Sequence, residues 1–408
     1  ASNIGMSISL VRKELEATLQ KAEGYFSHFA ESQDQQQLKS FADELNLARG
    51  IFKLLELLGP EALTTEMLSL VGDGTTGIEA KLEALGRGLL SLSHYIGILL
   101  EHEKDHPILL IPAINQIRKT GNHKALSESH FFTVNLRPKL PQVEKSQLNI
   151  KPHLARLRLM YQLGLLRVLN GPDPVIGLKL IQRSLVLLER GFRGTIAWPF
   201  WWCCKAAVDA VVDEEFELTQ ARRVLFGRID LVMRTMIKQG AAVFTAQLAN
   251  EVHKDLLHII SLSASESGDI KRIKQSYLLQ TAILESDLKK ERRLLSGPDV
   301  GAYESLSKAF HEEIHSVKES LDSAARNALS DDGFNALSTR LSALADVLQV
   351  INQVPLSKRL KEQHSNVLAL PQLDDHQKIT ALAQIADAML QVELASSQFS
   401  MGSVKSAN

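Results

Sequence analysis

Apolar residues recurring at intervals of three and four along nearly the whole chain constrain this sequence more than any other feature. Residues around 34–58 place Leu38, Phe41, Leu45, Ala48, Phe52 and Leu55 in one register. Residues around 331–354 place Phe334, Leu337, Leu341, Leu344, Leu348 and Ile351 in another. Both sets are spaced 3, 4, 3, 4, 3. That spacing puts each set along one side of an α-helix, the stripe that a helix buries in an antiparallel bundle. Alternating runs of the kind that make strands are few. The sequence therefore predicts an all-α protein.

Breaks in the pattern divide the chain. Gly59-Pro60, Gly72-Asp73-Gly74, Gly171-Pro172, Gly297-Pro298 and Pro371 punctuate the helices. Residues 121–150 are the least helical and contain Phe131-Phe132-Thr133-Val134, then Pro138 and Pro141; they read as an extended segment or a linker. Three helical units follow, at 1–143, 144–295 and 296–408. The first and third share a pattern. Leu15, Leu19 and Ala22, ahead of the first stripe, correspond to Val317, Leu321 and Ala324 ahead of the second. The connecting loops differ by six residues, a length change that loops accept at small entropic cost. Helical seams also recur in unrelated chains, so this repeat rests on pattern alone.

Composition excludes several classes. With 408 residues and 45% hydrophobic side chains, each unit can bury a core. Lys and Arg number 46 against 47 Asp and Glu, a net charge of −1, which offers no general attraction to nucleic acid. No uncharged apolar run is long enough to span a bilayer, so no membrane insertion is expected. No basic segment followed by an apolar one opens the chain, and the only cysteines, Cys203 and Cys204, are adjacent. Both facts point to a cytoplasmic protein. No phosphate-cradling glycine loop and no Ser/His/Asp order is present. A protein that binds other proteins without catalysis and without a cofactor is the reading that remains.

Residues Leu45 to Gly59 carry the most informative constellation. Asn46, Arg49, Gly50 and Lys53 stand together on the helix of the first stripe. This resembles the histidine phosphotransfer (HPt) bundle, in which an exposed His is followed by Lys at i+3 and Gly at i+4. In that pattern the imidazole takes a phosphoryl group, the cation one turn on neutralises it, and the Gly makes room for a receiver domain. Asn46 occupies the His position here, and an amide nitrogen is not nucleophilic. In the third unit Ser342, Ala345 and Asp346 hold the three places. None of the 13 histidines has a cation at i+3 with Gly at i+4. The pattern implies a pseudo-HPt docking face that does not receive phosphate. Asn-x-x-Arg-Gly on an ordinary solvated helix is the competing reading.

Longer stretches carry a second resemblance. Ser9 to Glu23, Arg49 to Gly59 with Glu66-Met67-Leu68, Leu110 to Asn115 and Phe131-Phe132 are similar, in the same order, to the FimL scaffold proteins and to the N-terminal region of ChpA-type chemosensory kinases. So are Gln162 to Leu166 and Glu251 to Leu257. The resemblance implies HPt-like up-down bundles in the first and third units. It implies a non-catalytic scaffold of a type IV pilus chemosensory system, linked to twitching motility. The implied partners are a CheY-like receiver regulator and a FimV-type polar hub protein, with recruitment to the cell pole. A fragment of a ChpA-like phosphorelay kinase is the alternative, although no kinase core is visible.

Other features have two readings each. His311-Glu312-Glu313-Ile314-His315 satisfies the helical zinc-hydrolase pattern, or is a solvated charged helix face lacking a third ligand. Trp198, Trp201 and Trp202 share a helix face with Lys205 and form either a buried cluster or an aromatic patch for a partner. Arg222-Arg223, Arg228 and Lys238, like Lys289-Lys290 and Arg292-Arg293, are solvated faces or contacts for an acidic surface. A relay through another histidine, such as His253, is a further reading.

Overall fold

In a computed structural model the chain is 78% helical, with no strand among the described residues. The structure describes residues 2–170, 173–296, 300–350 and 353–403. The chain forms two compact units, Ala1–Leu295 and Ser296–Asn408.

The first unit opens with α1 (Ser2–Ser32), α2 (Gln35–Leu54), α3 (Leu58–Gly72) and α4 (Ile78–His102), followed by α5 (Ile111–Thr120). Helix α1 packs on α2, α2 on α3, α3 on α4, and α4 back on α1, which closes a four-helix ring. The predicted stripe drives this closure. Leu38, Phe41, Leu45, Ala48 and Phe52 are all buried, as are Leu15, Leu19 and Ala22 of α1. Asp34 starts α2 by accepting a hydrogen bond from the Gln36 amide at 3.0 Å, which satisfies an otherwise orphaned donor.

Residues 121–150 contain no α-helix, as their composition predicts, but they are not a free linker. Phe131, Phe132, Val134, Leu136, Leu140 and Val143 pack on the core. Asn115 pins the start of the strap by donating to the Leu126 carbonyl and accepting from its amide, at 2.9 and 2.7 Å. Arg137 donates to the Phe244 carbonyl and to Asn250. The strap leads into α6 (Leu154–Asn170), α7 (Pro174–Gly191), α8 (Trp198–Asp213), α9 (Gln220–Gln239), α10 (Gln247–Ser261), α11 (Gly268–Ser276) and α12 (Glu285–Ser296). One continuous hydrophobic cluster, from Ile8 to Leu288, spans the residues read above as the first and middle units.

Helices α6 and α7 touch backbone to backbone at Gly164 and Gly177. A Cβ on Gly177 would sit 2.5 Å from the Gly164 carbonyl oxygen, and one on Gly164 would sit 2.6 Å from that of Gly177. Ser184 hydroxyl, donating to the Leu157 carbonyl at 2.9 Å, fixes the same crossing. Gly177→Ala therefore has to separate the helices, and the overpacking outweighs the gain of about 1 kcal/mol that Ala brings to a helix interior. A net loss of roughly 1–3 kcal/mol is expected in urea denaturation. A stabilised Gly177→Ala protein would show that the helices separate at this crossing without cost.

The second unit comprises α13 (Val300–Ala325), α14 (Asp331–Val350), α15 (Val354–Ala369) and α16 (Asp375–Ser403). Each packs on the next and α13 closes against α16, the same ring that joins α1 to α4. Phe334, Leu337, Leu341, Leu344 and Leu348 are buried, as are Val317 and Ala324. Leu321 is partly buried against that core. The last residue of the predicted stripe, Ile351, and the breaks at Gly171-Pro172 and Gly297-Pro298 lie outside the described residues.

Candidate docking face on the second helix

At roughly 100° per residue, burying one stripe of α2 fixes what the opposite side shows. Asn46, Gly50 and Lys53 are exposed there, and Arg49 lies half-buried at the flank. Arg49 reaches back one turn, and its Nη2 donates to the Asn46 side-chain oxygen at 2.6 Å. That bond holds the guanidinium over the surface instead of leaving it to swing freely. Nothing lies within 4 Å of a Cβ built on Gly50, so the helix backbone is open to close approach at that point. Beside these residues stand Leu47 and Leu54, 59% and 79% exposed. The four sequence-predicted residues thus share one face, and an apolar flank joins them. Sequence reading missed the two leucines because it followed the buried stripe; their signal was that both fall outside its spacing.

The corresponding positions on α14 differ. Ser342 is half-buried, Ala345 is buried, and exposed Asp346 stands 3.6 Å from Lys361. Buried Ala345 takes the place of the cation and Asp346 that of the glycine, so this face lacks both the free cation and the cleared backbone of α2.

The tryptophans are interior. Trp198 and Trp202 stack with ring centroids 4.6 Å apart, and Trp201 is fully buried between Phe200 and Phe244. Trp202 donates to Asp269 and Trp198 to Glu189. This aromatic group builds the core and offers no surface to a partner. Cys203 and Cys204 are buried beside it, and burial pushes both thiols up, away from the reactive thiolate. His311 and His315 are exposed, with His315 3.1 Å from Glu319. No group of three His, Cys, Asp or Glu side chains converges on a metal position among the described residues. His253 is buried, 3.1 Å from the Tyr277 hydroxyl, and burial depresses its pKa to about 3; a receiver domain cannot reach it there.

Arg222 corrects the solvated-face reading of the basic cluster on α9. Its side chain is 0% exposed and ion-pairs with Glu285 at 2.6 Å and Glu128 at 3.0 Å. Arg292 joins the same carboxylates from α12. Arg228 pairs with Glu251 of α10.

The fold and the face together define a class: an all-helical protein that presents solvent-facing helix surfaces, with its titratable clusters turned inward as structural ion pairs. The chain belongs to the FimL scaffold family. It is 31% identical over 398 residues to the scaffold protein FimL of Pseudomonas aeruginosa, which covers 95% of this chain and 70% of that protein. Residues 147–290 match the family model for the second domain of FimL scaffold proteins. No solved structure matches the chain.

Proposed function

We propose that the chain is a non-catalytic scaffold of a type IV pilus chemosensory system and that the α2 face docks a CheY-like receiver domain without accepting phosphate. One observation carries this reading. Asn46, Arg49, Gly50 and Lys53 stand together on the solvent side of a bundle helix, with Arg49 tied to Asn46 at 2.6 Å. The arrangement keeps the cation and the cleared backbone of a phosphotransfer face and replaces its nucleophile with an amide. The family's role as scaffold fits a surface that binds and does not convert. The α1–α4 and α13–α16 rings serve as degenerate HPt-like bundles. A FimV-type polar hub protein is the second partner, recruiting the scaffold to the cell pole.

Titrating the receiver regulator into wild type and Arg49→Glu by calorimetry tests the face. At least a tenfold loss of affinity is expected, because an anion replaces the cation at a contact that excludes water. The melting temperature stays within a few degrees, since the site is at the surface. Equal affinity for both proteins would move the interface elsewhere, and no binding to either would remove the receiver from the proposal.

A further inference from the structure

The middle of the chain carries a charge imbalance that its overall balance conceals. Helices α6, α7 and α9 hold eleven Lys and Arg residues, three, three and five in turn, against two acidic residues, Glu189 and Asp230. Both acids are paired with cations. Glu189 is buried and paired with Arg193, and Asp230 is paired with Arg158. Arg156, Arg167, Lys179, Arg183, Arg223 and Arg234 are exposed.

Among these cations runs an apolar ridge. Helix α6 buries Leu157, Tyr161, Gly164 and Val168. Diametrically opposite, Leu159, Leu163 and Leu166 are 50–58% exposed. Both neighbours of α6 lie on its inner half: α7 meets it at Gly164, and α9 meets it through Tyr161, whose hydroxyl donates to the Phe226 carbonyl at 2.6 Å. The outer half is therefore a bare crest. Ile176 and Leu187 on α7 and Val224 and Leu231 on α9 are exposed as well.

We propose that this crest seats the protein on an anionic lipid surface. The chemistry has two parts. A line of leucines flanked by Arg and Lys is the pattern of a helix that lies in the membrane interface, its apolar side in the acyl boundary and its cations among the headgroups. The shape agrees, because a protruding ridge enters a deformable lipid surface, whereas a partner helix requires a groove. A second copy of the chain does not fit, since a two-fold contact through this face would set basic residues against basic residues. The association is peripheral: none of the described helices is long and apolar enough to cross a membrane. This inference does not depend on the α2 face.

Co-sedimentation of the full chain with vesicles tests it. Equal parts phosphatidylglycerol and phosphatidylcholine form the anionic probe, and phosphatidylcholine alone the control. Binding to the anionic vesicles only is expected, weakened by raising salt from roughly 0.1 to 1 M. Leu163→Glu and Arg167→Glu should each lower the lipid partition coefficient about tenfold or more. Both positions are exposed and Glu is a good helix former, so both variants should fold, with circular dichroism as the check. No sedimentation with anionic vesicles would overturn the proposal and leave the face to an acidic protein. Equal sedimentation of wild type and Leu163→Glu would also overturn it, because the ridge would then take no part.

Discussion

Arg222→Leu is expected to destabilise the first unit by about 3–5 kcal/mol in urea denaturation, the largest loss among the changes considered. Arg222 lies in α9 and its partners are far away in sequence, Glu285 at the start of α12 and Glu128 in the strap. It also donates to the Glu217 carbonyl at 2.8 Å, and its guanidinium lies 5.3 Å from the Phe216 ring centroid. One buried cation thus ties together three segments that local sequence does not connect. Removing it leaves two carboxylates in the interior. Burial of Glu128 opposes ionisation, but the charges of Arg222 and Arg292 and the hydrogen bonds from Arg222 outweigh that and hold its carboxyl below the usual range. Much of the loss reflects those stranded charges and not the intrinsic worth of the pair. The triple change Arg222→Met with Glu128→Gln and Glu285→Gln should therefore recover a large part of it. A single-variant loss under about 1 kcal/mol, or a triple variant weaker than the single one, would contradict this account.

Acidification from pH ~6.5 to ~4 is expected to weaken the first unit steeply, through two histidines. Burial depresses the pKa of His253 to about 3 and of His258 to about 4. The unfolded chain binds protons at both sites near the ordinary value of about 6.5, while the folded chain excludes them. Their stabilising contribution is complete above that value and is lost as pH falls towards the folded values. Each histidine costs up to ~1.4 kcal/mol per pH unit in that window. Burial raises the carboxyls of Asp105 and Asp255, which then favour protonation in the folded state and offset part of the loss at the acid end. His253→Gln keeps a polar group facing the Tyr277 hydroxyl and cannot titrate. Its denaturation midpoint should fall with pH about half as steeply as that of wild type between pH 6 and 5. An unchanged slope would place the titration elsewhere.

Helix faces were legible because burial repeats with the helical period. The stripes from Leu38 to Phe52 and from Phe334 to Leu348 could be assigned from spacing alone, and both are buried. The α2 face was legible for the complementary reason: fixing which side of a helix is buried fixes what the other side exposes. The strap at 121–150 was readable as non-helical from Pro138 and Pro141, but not as part of the core. Its attachment depends on Asn115, Phe244 and Asn250, which no local pattern links to it.

Side chains whose environment is set by distant segments were not legible. Arg222 and Arg223 are adjacent and chemically alike, yet one is buried among carboxylates and the other is in solvent. Trp201 and the leucines of α6 show the same limit in opposite directions, an aromatic that could have been a surface patch and aliphatics that could have been core. The sequence by itself determined the helical class, the buried stripes and the solvent-facing set of Asn46, Arg49, Gly50 and Lys53, because each depends on residue identity and a fixed helical period. Tertiary structure alone decided which cations are buried and paired and which apolar residues face solvent. Burial is a property of neighbours brought together from far along the chain, and one helix has two sides that its own sequence cannot rank once both are apolar.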